Sequence, residues 1–131
     1  MNRKQQLERL QQLSGLQFRV TQAEMADLVR KEMALRQNLE QLIQSKANQA
    51  QAKRNSDEAA LIAGADIRWH QWVDQRRAKI NMELAQILAL KENSRTKLRR
   101  AFGRDQVTQS LHKQAVQSEK HTLQRKQDYE S

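Results

Sequence analysis

The chain has 131 residues, of which 37% are hydrophobic and only 4% aromatic, and its mean hydropathy is -0.97. That is too little large apolar side chain to offset the ordering of the backbone, at about 1 to 2 kcal/mol per residue, around a thick core, so a globule of this length is excluded. Twenty-four Lys and Arg against fifteen Asp and Glu leave a charge of +9 and a pI near 10.4, a balance that attracts acidic surfaces.

A chain so composed is either disordered or long and thin, and the remaining composition chooses between the two. Pro is absent, Gly occurs three times, and good helix formers (Gln, Lys, Arg, Leu, Ala, Glu) dominate. Long helices are therefore expected. There is no cysteine, so disulfides and thiolate metal sites are excluded. The first residues, "MNRKQQLERLQQLSGLQF", carry the charges but not the apolar stretch of a signal peptide, and nowhere do about 18 apolar residues run together. A soluble, intracellular protein with no transmembrane segment is the expectation.

The first predicted helix covers about residues 2–54. Steps of three and four from Leu7 visit Gln11, Ser14, Phe18, Thr21, Met25, Leu28, Glu32, Leu35, Leu39 and Leu42, and seven of these eleven positions are apolar, enough for a narrow coiled-coil seam. Leu28, Leu35 and Leu42 are spaced by heptads. The stripe stops in "QSKANQAQAKRNSDEAA", where Asn55 and Glu58 have the spacing of a capping box and Gly64 is a second candidate break, so the bend is predicted within residues 53–64.

The second predicted helix covers about residues 58–125. Its stripe runs through Ile62, Trp69, Val73, Ile80, Leu84 and Ile87, crosses a polar gap at Lys91 and Ser94, and resumes at Leu98 and Phe102, after which only Val107, Leu111, Val116 and Leu123 remain. Folding the two stripes about residue 57 sets Leu42 opposite Trp72, Leu28 opposite Ile87 within a residue, and Leu16 opposite Leu98. Each one-sided stripe needs a partner, so the expected fold is all-α, two long helices forming one antiparallel coiled-coil hairpin. The second arm overhangs the first, leaving "QAVQSEKHTLQRKQDYES" without a facing helix and a mobile tail up to residue 131.

Catalysis fits poorly. His70, His112 and His121 are scattered, with no HExxH and no glycine-rich phosphate loop. His70 and Asp74 stand one turn apart, a spacing better explained as a solvated helix pair than as a metal site. Acid-base chemistry also needs a concave site that excludes water, which two helices do not provide. No enzyme activity, cofactor or metal is expected.

The basic excess is concentrated in two runs, one holding Arg76, Arg77 and Lys79, the other Arg95, Lys97, Arg99, Arg100 and Arg104. These are candidate contacts for an acidic partner, against the plainer reading of a solvated coiled-coil edge. A nucleic acid is disfavoured as that partner, since beyond the Trp69 and Trp72 pair no reading helix and no interleaved aromatics accompany the charge. Trp69 leads into the seam through Val73, which turns Trp72 toward the seam's edge. Two helices cannot cover two indoles, so an exposed patch with Leu39 or Ile43 is expected, the kind of aromatic anchor common at protein interfaces.

The segments "NLEQLIQ" at 38–44 and "RWHQWVDQRRAKI" at 68–80, in a basic, cysteine-free chain of this length with two long helices, resemble the FliJ family, the stalk proteins of the bacterial flagellar and type III secretion export apparatus. The resemblance implies an antiparallel coiled coil whose open end, Met1 to about Leu16 and Leu111 onward, enters the pore of a hexameric export ATPase. It also implies binding to the membrane-embedded export gate protein and to export chaperones. The family's gate-contacting positions map onto Asn38, Leu42 and Trp72, and with Leu39 and Trp69 beside them these five form the expected gate-binding set. Ser45 and Gln49 stand where the family commonly has tyrosines, and Arg76 and Lys79 replace smaller or apolar residues. The implied location is cytoplasmic, peripheral at the inner face of the bacterial membrane. Two alternatives to the stalk are a basic coiled coil that binds nucleic acid and a self-associating scaffold.

Overall fold

The structure is a computed structural model that describes the backbone of residues 2–54 and 59–131 and the side chains of residues 2–52 and 64–131. It holds two helices, α1 (Arg3–Arg54) and α2 (Ala59–Glu130), paired antiparallel as a hairpin. The predicted capping residues Asn55 and Glu58, and the side chain of Ile62, lie outside the described residues. Gly64, the second candidate break, sits within α2. The helix also continues to Glu130, beyond residue 125 where the sequence placed its end.

Asn2 caps α1: its side-chain oxygen accepts from the Gln5 backbone N–H at 2.9 Å, which satisfies one of the first-turn donors that have no partner within the helix. At the other terminus the Ser131 N–H donates to the Gln127 carbonyl at 3.1 Å. Among the described residues no helix is long and apolar enough to cross a membrane.

The contacts divide the hairpin into two units. Unit 2 (Asp27–Glu92) has an apolar seam of Leu42, Val73, Ile80 and Leu84, with Leu35, Leu39 and Trp69 packed against it. Val73 and Ile80 are each only 2% exposed. Burying such a side chain is worth about 1.5 to 3 kcal/mol, so these few residues dominate the unit's stability. The seam closes toward residue 92 with an ion pair, in which Lys91 Nζ donates to both Glu32 carboxylate oxygens at 3.3 Å. Arg36 adds a longer contact to the same carboxylate at 3.8 Å.

Unit 1 (Met1–Ala26 and Asn93–Ser131) has a different seam. Leu7 and Ala101 are buried, but so are Ser14, Thr21, Ser94 and Asp105. Thr21 is satisfied within its own helix, its hydroxyl lying 2.8 Å from the Phe18 carbonyl and 3.1 Å from that of Gln17. Phe18 and Phe102 meet across the hairpin, ring centroids 5.5 Å apart and planes tilted by 51°.

Every position of the α1 stripe, polar ones included, is buried or half-buried. The α2 stripe keeps to expectation from Trp69 to Leu98 and then departs from it. Phe102, Val107 and Leu111 are exposed, while Ala101, Asp105, Thr108 and His112 carry the seam. The register differs as well. Glu32 meets Lys91 and Lys4 meets Glu119, so each pair is centred between residues 61 and 62 and not on residue 57. Leu16 consequently does not pack on Leu98 but is exposed. Lys4 reaching Glu119 also shortens the overhang, and beyond Val116 every α2 residue is exposed.

Candidate functional site

Unit 2 carries a groove formed from both helices. Asn38, Gln41, Leu42 and Ser45 line it from α1, and Trp69, Trp72, Arg76 and Ile80 from α2. The side chains meet there for a simple reason. On α1 the steps from Asn38 to Gln41, Leu42 and Ser45 return to one face, and on α2 the steps from Trp69 to Trp72, Arg76 and Ile80 do the same. Leu42 and Ile80 form the floor as buried seam residues, and Trp69 leans on that seam. Trp72 stands at the rim, 54% exposed.

Of the five residues expected to contact a gate protein, Asn38, Leu42, Trp69 and Trp72 line this groove, whereas Leu39 packs half-buried against the seam. Ile43, the alternative to Leu39 in the expected patch, is exposed but lines none of it. Gln41 belongs to the groove and was not singled out from the sequence. Its position one turn from Asn38 and from Ser45 is the signal that identifies it.

Trp69 and His70 touch edge to face with centroids 5.4 Å apart. His70 points back along the helix, its Nε2 lying 3.4 Å from Asp66 Oδ1, and not forward to Asp74. That contact becomes an ion pair when the imidazole is protonated. Among the described residues no cluster of three or more His, Asp or Glu is placed to hold a metal ion.

The two basic runs divide between faces. Arg76 reaches the tryptophan groove, while Arg77 and Lys79 are exposed and line no part of it. In the second run Lys97, Arg100 and Arg104, at i, i+3 and i+7, share a wall of a second groove, in unit 1. Arg95 and Arg99, one turn apart from each other, are exposed and stand outside that wall. The opposite wall is Leu13, Leu16, Gln17, Val20, Thr21 and Glu24 of α1. Sequence reasoning found the cations and missed the apolar wall, although Leu13, Leu16 and Val20 repeat at helical spacing beside the seam.

Unit 1 also holds a buried polar layer that lines no part of this groove; its Asp105 and Gln109 line a separate one with Gln11, Gln12, Gly15, Phe18 and Arg19. Ser14 Oγ donates to Asp105 Oδ1 at 3.2 Å and stands 2.6 Å from Thr108 Oγ1, and Gln109 Nε2 donates to Asp105 Oδ2 at 3.1 Å. Each hydroxyl has one proton and a further acceptor in reach, the Gln11 carbonyl 3.1 Å from Ser14 Oγ and the Asp105 carbonyl 3.0 Å from Thr108 Oγ1, so either can donate in the short contact. No Lys or Arg pairs with Asp105 among the described residues; neutral donors satisfy it. One turn further on, His112 Nε2 is buried without a partner, as is Ser94 Oγ on the other side.

Comparison of the chain with models of known protein families, with curated proteins and with solved structures finds no match.

Proposed function

We propose that this chain is a non-enzymatic stalk component of a bacterial flagellar type III export apparatus, linking a hexameric export ATPase to the membrane export gate and promoting export. The observation that supports the reading is that Asn38, Leu42 and Trp72, the positions onto which the FliJ family's gate contacts map, line one groove although they come from different helices. Trp72 at its rim offers a large, rigid, partly apolar surface of the kind that anchors protein interfaces. The protein in this reading is cytoplasmic and lies at the inner face of the cell membrane through its partners.

The mechanism follows from differential contact. A stalk without an active site raises another protein's ATPase activity only if it binds some assembly or nucleotide states of the ring more tightly than others. The paired helix ends of unit 1 are the part assigned to the ring, the tryptophan groove of unit 2 the part assigned to the gate, and export chaperones are further partners.

The test is a titration of the purified chain and its Trp72→Ala variant against the soluble cytoplasmic domain of an export gate protein, at two salt concentrations. Binding that Trp72→Ala weakens by about tenfold or more, about 1.4 kcal/mol, is the expected result. Absence of gate binding, together with salt-steep binding to duplex DNA, would replace the stalk by a nucleic-acid-binding coiled coil.

A further inference from the structure

The unit 1 groove combines two chemistries along one line. Leu13, Leu16 and Val20 are 63%, 53% and 49% exposed, a large outlay of apolar surface on a chain so poor in it. They recur at i, i+3 and i+7, so they form a ridge about two helical turns long, roughly 10 Å. On the other wall Lys97, Arg100 and Arg104 repeat with the same spacing on α2, but the register, with Ser14 on Thr108 and Phe18 on Phe102, staggers them by at least a turn, away from Leu13 and toward Glu24. Among the described residues none of these three cations has an ion-pair partner, and the groove's single acid is Glu24 at its edge. One wall therefore needs apolar cover and the other needs negative charge, over stretches that overlap in part along the same groove.

From this pairing we infer that the groove between Leu13, Leu16 and Val20 and Lys97, Arg100 and Arg104 docks an acidic amphipathic helix of a partner protein. A helix about two to three turns long, apolar at i, i+3 or i+4 and i+7 and with Asp or Glu on the flank beside that stripe, covers the leucines and meets the cations at once. Other occupants satisfy half of the site. A nucleic acid backbone answers the cations but leaves the ridge bare. An anionic bilayer is flat, whereas these residues line the two walls of a groove. A second copy of the chain, itself at +9, brings like charge to the basic wall. The groove lies in unit 1 and does not involve Trp72, so the inference does not depend on the stalk reading, and the two fail separately.

The experiment is fluorescence anisotropy with the full chain and a labelled 16-residue peptide built of Leu at helical spacing with flanking Glu, compared with a scrambled peptide of the same composition. A basic chain attracts acidic peptides anywhere on its surface, so the deciding variant is neutral: Leu16→Gln with Val20→Gln, both at exposed positions, with helicity checked by circular dichroism. The expected result is that scrambling the peptide and substituting the ridge each weaken binding at least tenfold, and that Arg100→Gln weakens it and flattens its salt dependence. Binding of both peptides alike, or binding that the ridge substitutions leave unchanged, overturns the inference. So does tighter, ridge-dependent binding of a 20-base-pair DNA duplex or of phosphatidylglycerol vesicles, or a dimer in sedimentation equilibrium that the ridge substitutions dissolve.

Discussion

The two units are built on the same pair of helices yet are held by different means. Among the described residues, those buried in unit 2 are Leu42, Val73, Ile80 and Leu84; in unit 1 Ser14, Thr21, Ser94 and Asp105 are buried beside Leu7 and Ala101. Apolar burial is strong but indifferent to direction, so a leucine seam shifted by a heptad still buries leucine. Hydrogen bonds have direction, and Ser14 finds Asp105 and Thr108 in one register only. The comparison teaches a division of labour, with unit 2 supplying most of the stability and unit 1 fixing the alignment. Unit 1 also buries Ser94 Oγ and His112 Nε2 without a protein partner.

The largest effect that would break this comparison belongs to Ile80. Truncation by Ile80→Ala is expected to destabilise the hairpin by about 2 to 4 kcal/mol in urea unfolding followed by circular dichroism, because a side chain 2% exposed leaves a cavity. A loss below about 1 kcal/mol would show that the apolar seam is not the main support. A smaller effect, of opposite sign, is expected when the polar layer is made apolar. Ser14→Ala combined with Asp105→Leu should raise stability by about 1 to 2 kcal/mol while loosening register. Spin labels at positions 9 and 113, placed through cysteines that the chain otherwise lacks, would report this as a broadened distance distribution. Lower stability with an unchanged distribution would mean that the layer is structural cement like the leucines.

The smallest effect concerns pH. Asp27 lies 3.2 Å from Lys31 and 3.5 Å from Arg30, and chiefly the hydrogen bond and charge of Lys31 hold its carboxyl below the usual carboxylate range. A lowered value in the folded state means that the contribution is fully present above the ordinary carboxylate value and disappears as pH falls through the lowered one. Asp27 is solvated, so the effect is slight. Asp27→Asn should cost a little stability at neutral pH and none at the acid extreme, which flattens the acid limb of the stability profile.

The α1 seam was legible because periodicity runs through its polar members: steps from Leu7 pass Ser14, Thr21 and Glu32 without losing phase, and all are buried or half-buried. The α2 seam beyond Leu98 was not legible by the same method. Large residues drew the stripe to Phe102, Val107 and Leu111, whereas the helix turns Ala101 and Asp105 inward. An alanine and an aspartate give no hydropathy signal, and Asp105 becomes intelligible only with Ser14, 91 residues away in sequence, beside it. The register error has a related origin, since folding about residue 57 aligned apolar residues and ignored charge. Matching Glu32 to Lys91 and Lys4 to Glu119 would have moved the axis by about four residues. The tryptophan groove was more accessible, because spacing alone turns Trp69 inward and Trp72 outward.

Both tryptophans of the chain lie in unit 2. Indole emission, excited where tyrosine is silent, is therefore a built-in reporter of that unit alone, while the far-ultraviolet ellipticity sums over both helices. Trp69 against the seam and Trp72 at the rim also differ in solvation, so a quencher dissolved in water should reach one well before the other. Without any label, the molecule distinguishes optically between melting of its leucine-held half and melting of the whole, and between a partner seated on the tryptophan groove and one seated elsewhere.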